Sequence, residues 1–212
     1  MRRVVSVVCV LALGALVPTA AAGEGKAPPE CRGWTATHWG DDGPNTIIGT
    51  AGHDVIVGMG GADTIYGKGG SDHICGDGGD DVLYGGSGDD TIYGDDGNDT
   101  IYAGKGSQDT LNGGPGNDFL DGGTGPTTNV WGGPGRDRIL LRNPSTSSWA
   151  VADGGAGRDT LDLRKSAVRI EVRLDWASPG LCFGPGPCSS ANYWLLSIEN
   201  VIGTRYDDVV YG

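Results

Sequence analysis

The residues of this chain best suited to chemistry are aspartates that recur at a fixed spacing. They stand nine residues apart, with one inserted residue before the seventh, at Asp54, Asp63, Asp72, Asp81, Asp90, Asp99, Asp109 and Asp118. Each aspartate follows a glycine-rich stretch and precedes, two residues later, an aliphatic residue. A fixed spacing of this kind indicates one structural unit that is repeated along the chain.

The residues between the aspartates predict short strands joined by glycine turns. The best-preserved copies begin at Gly85 and Gly113, where the sequence reads GGSGDDTIY and GGPGNDFLD. The residues that flank the aliphatic are of mixed polarity, which is typical of a three-residue strand with only its centre facing inward. The glycines permit backbone conformations closed to other residues and let carbonyl oxygens approach a ligand.

Two turns and two strands per eighteen residues make one coil, so aspartates eighteen residues apart, such as Asp63 and Asp81, are expected to stack. Neighbouring strands lie about 4.8 Å apart, where two carboxylates repel by roughly 0.9 kcal/mol in water and about 3.5 kcal/mol at an effective dielectric of 20. A divalent cation between the turns converts this repulsion into attraction. Calcium fits best because it accepts six to eight oxygens, carbonyls included, whereas magnesium keeps its waters and softer metals prefer histidine or thiolate.

These turns resemble the RTX, or haemolysin-type, calcium-binding nonapeptide repeat family, densely from Asn45 to Leu140 and sparsely at residues 154–162 and 198–212. The resemblance implies an all-β fold, a parallel β-roll or β-helix solenoid in which motif aspartates and turn carbonyls hold calcium. On this chain the implied ligands are the eight aspartates above together with Asp137, Asp159 and Asp208. We expect multiple calcium ions, roughly six. The segment from Cys31 to Thr37, with Cys75, is also similar to small secreted calcium-binding proteins of actinobacterial type.

One copy of the repeat, residues 122–130, departs from the pattern. Thr127 is expected to stand where the aspartate should be, and Asn129 is out of step. We therefore expect a weakened or missing site at this turn.

The first residues predict a secretory signal. Arg2 and Arg3 precede an apolar stretch and a small-residue cleavage site at Ala20-Ala21-Ala22. The apolar stretch of about 14 residues is shorter than the roughly 20 needed to span a bilayer. We therefore expect a secreted protein without a membrane span, divided into a signal peptide (1–22), an N-terminal leader or cap (23–44), the calcium-binding β-roll (45–140) and a degenerate continuation with a disulfide loop and a closing repeat (141–212).

Four cysteines remain after the signal, and an even number in an exported chain favours disulfides. Cys182 and Cys188 bracket a turn-prone loop, which would leave Cys31 to pair with Cys75. The rival interpretations are free thiols or a zinc site, and zinc is the weaker because no Cys-x-x-Cys or paired histidine accompanies the cysteines.

The charge pattern excludes one class of partner. The formal net charge is −12, and all but four of the 27 acidic residues are aspartates. The sequence has no basic stripe to neutralise phosphates, so nucleic acid is not an expected partner. Short carboxylates in tight turns instead suit a hard cation.

Two interpretations of function remain. The first is a structural or surface-interaction (adhesive) module, not an enzyme, whose partner besides calcium is a cell-surface glycan or another extracellular surface. Tyr66, Tyr84 and Tyr102 stand eighteen residues apart and could offer an aromatic row to such a partner, although cross-strand pairing alone also explains them. The alternative is a secreted hydrolase or lyase that acts on polysaccharides. It lacks support because no Gly-x-Ser-x-Gly elbow occurs, and His53 and His73 fall at positions predicted to face solvent.

Overall fold

The computed structural model of the chain is an all-β solenoid of about six turns, which confirms the predicted fold class. It describes residues 27–125, 127–142, 150–165, 170–173, 180–183, 193–196, 198–203 and 209–211. Three predictions fall outside these residues. They are the secretory signal, the metal ligand Asp208, and the disulfide loop that ends at Cys188. None of the described residues forms a helix, so none supplies a helix long and apolar enough to cross a membrane.

The strands, numbered in chain order, are β1 (Glu30–Cys31), β2 (Trp34–Thr35), β3 (His38–Trp39), β4 (Thr46–Ile48), β5 (Val55–Gly60), β6 (Thr64–Gly69), β7 (His73–Gly78), β8 (Val82–Ser87), β9 (Thr91–Asp96), β10 (Thr100–Lys105), β11 (Gln108–Asn112), β12 (Phe119–Asp121), β13 (Thr127–Gly135), β14 (Arg138–Leu140), β15 (Ala150–Gly157), β16 (Thr160–Asp162), β17 (Ile170–Arg173), β18 (Gly180–Phe183), β19 (Tyr193–Leu196), β20 (Asn200–Ile202) and β21 (Val209–Tyr211).

From β3 to β17, successive strands alternate between two sheets. One sheet has eight strands in the order β20-β16-β14-β12-β10-β8-β6-β4, and the other has eleven in the order β21-β17-β18-β19-β15-β13-β11-β9-β7-β5-β3. Within the repeats the pairing is parallel, and Ile65 pairs with Leu83 eighteen residues later. One nine-residue unit is therefore half a coil, as the spacing predicts.

The core is a row of aliphatic side chains between the two sheets. The aliphatic after each aspartate is fully buried, and these residues are Ile56, Ile65, Ile74, Leu83, Ile92, Ile101, Leu111 and Leu120. Val130, Ile139 and Leu161 extend the same cluster toward the C-terminus. One inward residue per half-coil makes a narrow core, so the turns must supply much of the cohesion.

The leader packs against the outer side of the eleven-stranded sheet. β1 and β2 form an antiparallel hairpin, and β3 already lies in that sheet, parallel to β5. Cys31 and Cys75 form a disulfide, as the sequence predicts, and both are buried with Val57. The Arg32 guanidinium lies over the Tyr93 ring at 4.7 Å and pairs with Asp95.

The C-terminal strands continue both sheets with one interruption. β14, β16 and β20 follow one another in parallel, as do β13, β15 and β19. Between β19 and β21, however, β17 pairs antiparallel with β18, and β18 pairs antiparallel with β19. The eleven-stranded sheet therefore gains strands at this end that are not part of the nine-residue repeat.

The disulfide yields a first prediction. It joins residues 44 apart in sequence, and constraining a loop of this length in the unfolded chain stabilises a fold by about 2–4 kcal/mol. Mass spectrometry of the non-reduced digest should show the peptides of Cys31 and Cys75 joined. The double variant Cys31→Ser/Cys75→Ser should lose about that free energy of unfolding in urea titrations at saturating calcium. Free thiols at both positions in the exported protein would contradict the pairing.

Candidate metal centre

The half-coil repeat sorts the predicted aspartates into two rows. The long row precedes the strands of the eight-stranded sheet and consists of Asp63, Asp81, Asp99, Asp118, Asp137 and Asp159. The short row lies at the starts of strands of the eleven-stranded sheet and consists of Asp54, Asp72, Asp90 and Asp109. All ten side chains are buried, with at most 3 % of their surface exposed.

One oxygen of each carboxylate ties two coils together. The main-chain amide of Asp63 donates to Oδ1 of Asp81 at 2.7 Å, and the amide of Asp81 donates to Oδ1 of Asp99 at 2.8 Å. The same bond recurs at 2.7 to 3.0 Å for every aspartate of both rows except Asp54. The aspartates are thus structural acceptors as well as candidate ligands.

The second oxygen of the same nine carboxylates has no hydrogen-bond partner among the residues that the structure describes. These atoms are the Oδ2 oxygens of Asp63, Asp72, Asp81, Asp90, Asp99, Asp109, Asp118, Asp137 and Asp159. An unsatisfied buried polar group costs about 1–3 kcal/mol, and more when it is charged. Nine such oxygens in two rows indicate that a cation belongs beside them.

Main-chain carbonyls converge on the same places. A Cβ built on Gly67 would lie 2.5 Å from both Oδ2 of Asp72 and the carbonyl oxygen of Gly85, one coil further on. Gly58 has the same relation to Asp63 and the carbonyl of Gly76. Glycine at this position leaves the space between the two oxygens open. Carboxylate and carbonyl oxygens are the donors that calcium prefers, so the residues present fit that ion.

In four turns the residue after this glycine is not glycine and still adopts a left-handed backbone. Met59, Lys68, Asp77 and Asp95 have φ between 66° and 79°. This conformation costs non-glycine residues roughly 1–2 kcal/mol. The turn keeps its shape despite that cost, which indicates that the positions of its carbonyls are required.

Asp54 differs from the other aspartates. Its Oδ2 accepts hydrogen bonds from the Thr50 amide at 2.6 Å and the Thr50 hydroxyl at 2.9 Å. Its Oδ1 lies 3.5 Å from Nδ1 of His38. Asp54 therefore begins the short row with a carboxylate that local groups already satisfy, and its predicted role as a ligand has less geometric support than that of the nine others.

The short row ends at Asp109. Thr128, not Thr127, occupies the next aspartate position, because Thr128 pairs with Asp109 and Val130 pairs with Leu111. The turn before β13 is one residue longer than the repeat requires. Because the inward residue Val130 stays paired with Leu111, the aspartate position falls on Thr128 rather than on Thr127. Thr128 is buried and its hydroxyl donates to the Gly122 carbonyl at 2.9 Å. It offers no carboxylate at this turn.

The long row continues past the aspartates to a residue that the motif did not reveal. The amide of Asp159 donates to Oε2 of Glu199 at 2.7 Å. Glu199 lies two residues before Val201, which pairs with Leu161, so it holds the aspartate position of that coil. The spacing of an acidic residue two places before an aliphatic is the signal that could have found it.

Burial and mutual repulsion raise the pKa of the row carboxyls. The pKa rises to about 7 for Asp90, Asp99 and Asp118, and to about 6 for Asp63, Asp81 and Asp137. Loss of water is the largest cause, opposed by the hydrogen bond from the preceding coil and reinforced by neighbouring acidic side chains. Without a cation these groups therefore keep their protons to a higher pH than an ordinary aspartate does, and binding a cation would displace those protons.

The fold and the site together define a β-solenoid whose turns are built to hold hard cations. The family model of the RTX calcium-binding nonapeptide repeat, in four copies, matches residues 39–74, 76–107 and 108–128. Residues 39–128 thus contain RTX calcium-binding nonapeptide repeats. No curated protein sequence matches the chain.

The raised pKa values predict how the metal-free chain responds to pH. A carboxyl whose pKa is higher in the folded than in the unfolded chain favours folding when it is protonated. Stability without calcium should therefore be greatest near pH 4, fall between about pH 4 and pH 7 and stay low above that. Circular dichroism in chelator should show more β structure at pH 4.5 than at pH 7.5.

Calcium shifts this pH dependence because it binds the deprotonated carboxylates. The calcium concentration that gives half-maximal folding should rise as pH falls from about 7 to 5. The variant His38→Gln/His53→Gln/His73→Gln removes the three imidazoles, serves as a control and should show the same trend. A calcium midpoint independent of pH in both proteins would contradict the assignment of the shifted carboxyls.

Proposed function

We propose that this chain is a secreted calcium-binding structural protein whose folding is coupled to calcium, and that it serves as a surface-interaction module outside the cell. The observation that carries the proposal is the set of nine buried Oδ2 atoms without hydrogen-bond partners among the described residues. Repeats of this family are typically structural rather than catalytic, which agrees with such a role.

The coupling of calcium to folding follows from the narrow core. Each half-coil buries one aliphatic side chain of the repeat, while most turns bury a carboxylate. A site occupied at 100 times its dissociation constant adds roughly 2.7 kcal/mol to the free energy of unfolding. Roughly six sites, as we propose, would add about 16 kcal/mol, which exceeds the whole stability of many domains.

The number of sites rests on adjacent carboxylates in the rows. The long row offers five successive pairs from Asp63 to Asp159, and the short row offers the pair of Asp72 and Asp90. Ala103 carries a buried methyl group where most turns have glycine, and the turn after it contains the inserted residue before Asp109. We therefore favour sites in the long row and at Asp72 over a site at Asp109.

Secretion and the division of the chain belong to the same proposal. A disulfide between Cys31 and Cys75 is suited to an oxidising compartment outside the cytoplasm. Calcium is plentiful there, so the fold would form after export. We propose the leader as a cap, residues 45–140 as the calcium-binding roll and residues 141–212 as its continuation, because β16 and β20 extend the same parallel sheet.

The candidate interaction surface is the tyrosine row on the outer face of the eight-stranded sheet. The rings of Tyr66 and Tyr84 stack with centroids 4.9 Å apart and planes 4° apart, and Tyr84 and Tyr102 repeat this at 4.9 Å and 7°. The rings cover one another's faces, so the row would meet a glycan with ring edges and hydroxyl groups. Hydrogen bonding to sugar hydroxyls is then the expected mode of recognition, rather than stacking on ring faces.

A catalytic role has no comparable support. His73 stacks on Trp34 with centroids 4.8 Å apart, and His53 meets the edge of His73. His53 is exposed, as expected from the sequence, whereas Trp34 leaves His73 half-buried. Within the described ranges neither imidazole is hydrogen-bonded to a serine hydroxyl, and packing of the leader accounts for both.

Calcium should fold the chain and magnesium should not. In chelator at pH 7.5 the circular dichroism spectrum should be that of a mostly unfolded chain, and calcium should convert it to a β spectrum. Magnesium should fail at equal concentration because it retains its waters. A chain that is equally folded and heat-resistant after removal of all divalent ions would contradict the proposal.

A matched pair of variants assigns this effect to the rows. Asn keeps an oxygen that can accept the coil-joining hydrogen bond but removes the charge that binds the ion. Asp99→Asn should therefore raise the calcium midpoint several-fold, whereas Asp54→Asn should change it little because Thr50 already satisfies that carboxylate. Equal effects of the two variants would count against the distinction between them.

Binding and turnover assays separate the two interpretations of function. In calcium, the protein should bind a polysaccharide from a glycan panel saturably and without cleaving it. The triple variant Tyr66→Ala/Tyr84→Ala/Tyr102→Ala should lose at least tenfold in affinity, equivalent to about 1.4 kcal/mol. Its calcium midpoint provides the folding control. Hydrolysis or elimination products from the wild-type protein would favour the enzyme instead.

A further inference from the structure

The hydrogen-bond ladder of the long row runs without a break beyond the last motif aspartate. It starts at the amide of Asn45, which donates to Asp63, and passes from coil to coil to Asp159. The final bond joins the amide of Asp159 to Oε2 of Glu199 at 2.7 Å. The seven bonds are alike in donor, acceptor type and length, although the last spans forty residues of sequence.

The register gives Glu199 the place of an aspartate. Every aspartate of the long row lies two residues before an inward aliphatic, and Glu199 lies two residues before Val201. Val201 packs against the same core cluster as Leu161. Glu199 lies well outside the residues that match the repeat family, so the family match does not assign it a role.

Asp159 supplies an independent indication of a ligand. Its side chain is fully buried, its Oδ1 accepts the Asp137 amide at 2.8 Å, and its Oδ2 has no partner among the described residues. The Asp159 carboxylate thus has one buried oxygen unused, and the Glu199 carboxylate accepts the amide of the same residue. We propose that Glu199 is the terminal carboxylate of the long row and closes an additional calcium site with Asp159. This inference rests on the proposed calcium-binding function.

A purely structural role for Glu199 fits less well. Accepting the Asp159 amide requires only a neutral oxygen, and the other end of the row shows that a neutral residue suffices there. Asn45 occupies that end, and its side-chain oxygen accepts the Asp41 amide at 2.7 Å. A charge at the C-terminal end adds repulsion with Asp159, and an ion between the two carboxylates removes that repulsion.

Charge removal at matched positions tests the site. Glu199→Gln keeps an acceptor for the Asp159 amide and removes the charge, while Glu30→Gln removes the same charge from an exposed position in the leader. Equilibrium dialysis with radioactive calcium at saturation should count one ion fewer per chain in Glu199→Gln than in the wild type. Glu30→Gln should keep the full number. The calcium midpoint for folding should rise several-fold in Glu199→Gln alone.

The outcomes separate this inference from the proposed function. A wild-type chain that binds no calcium overturns both. A wild-type chain that binds several ions, with the same number in Glu199→Gln, overturns the Glu199 site and leaves the proposed function intact. Glu199→Asp restores the residue type of the row and guards against a folding defect of the Gln variant. It should fold and retain the full count, and one ion fewer in this variant also contradicts the site.

Discussion

The structure depends on how nine of the ten row aspartates, all except Asp54, use their two oxygens. Oδ1 accepts the amide of the preceding coil, and Oδ2 remains buried without a partner in the described part of the chain. The same carboxylate therefore joins successive coils and repels the next carboxylate in its row. Protonation or a bound cation removes the repulsion, but only the cation also satisfies the turn carbonyls, because a proton serves a single acceptor.

The two edges of the solenoid are held differently, and the difference grows along the chain. The short row stops at Asp109, whereas the long row continues to Asp159. In the coils after Asp109, ion pairs appear on the outer face of the eight-stranded sheet, where Arg142 pairs with Asp121. Burial alone would raise the pKa of Asp162, but hydrogen bonds from Arg164 and Arg138 hold it well below its usual range. Arginines thus satisfy buried carboxylates in the coils where the short row is absent.

The strict spacing of the repeats made most of the fold predictable. A period of nine with one aliphatic per unit requires coils of eighteen residues, and that alone stacks Asp63 on Asp81 and aligns the tyrosines. The prediction was wrong at Thr127 because counting residues ignores an insertion that a loop absorbs. Pairing of the inward residue Val130 with Leu111 sets the register instead. Glu199 was not predicted as a member of the row for the same reason, because forty residues of sequence separate it from Asp159.

The two ends of the solenoid are stabilised by different interactions. At the N-terminal end, Thr50 satisfies the first carboxylate, Asp54. The disulfide between Cys31 and Cys75 fastens the leader to the eleven-stranded sheet. That end holds its geometry through covalent and hydrogen bonds, which need no ion. At the C-terminal end the ladder finishes on a second carboxylate beside Asp159, whose Oδ2 is unused. The first coil therefore needs a cation less than the rows from Asp63 onward, where one buried oxygen of each carboxylate has no partner in the described part of the chain.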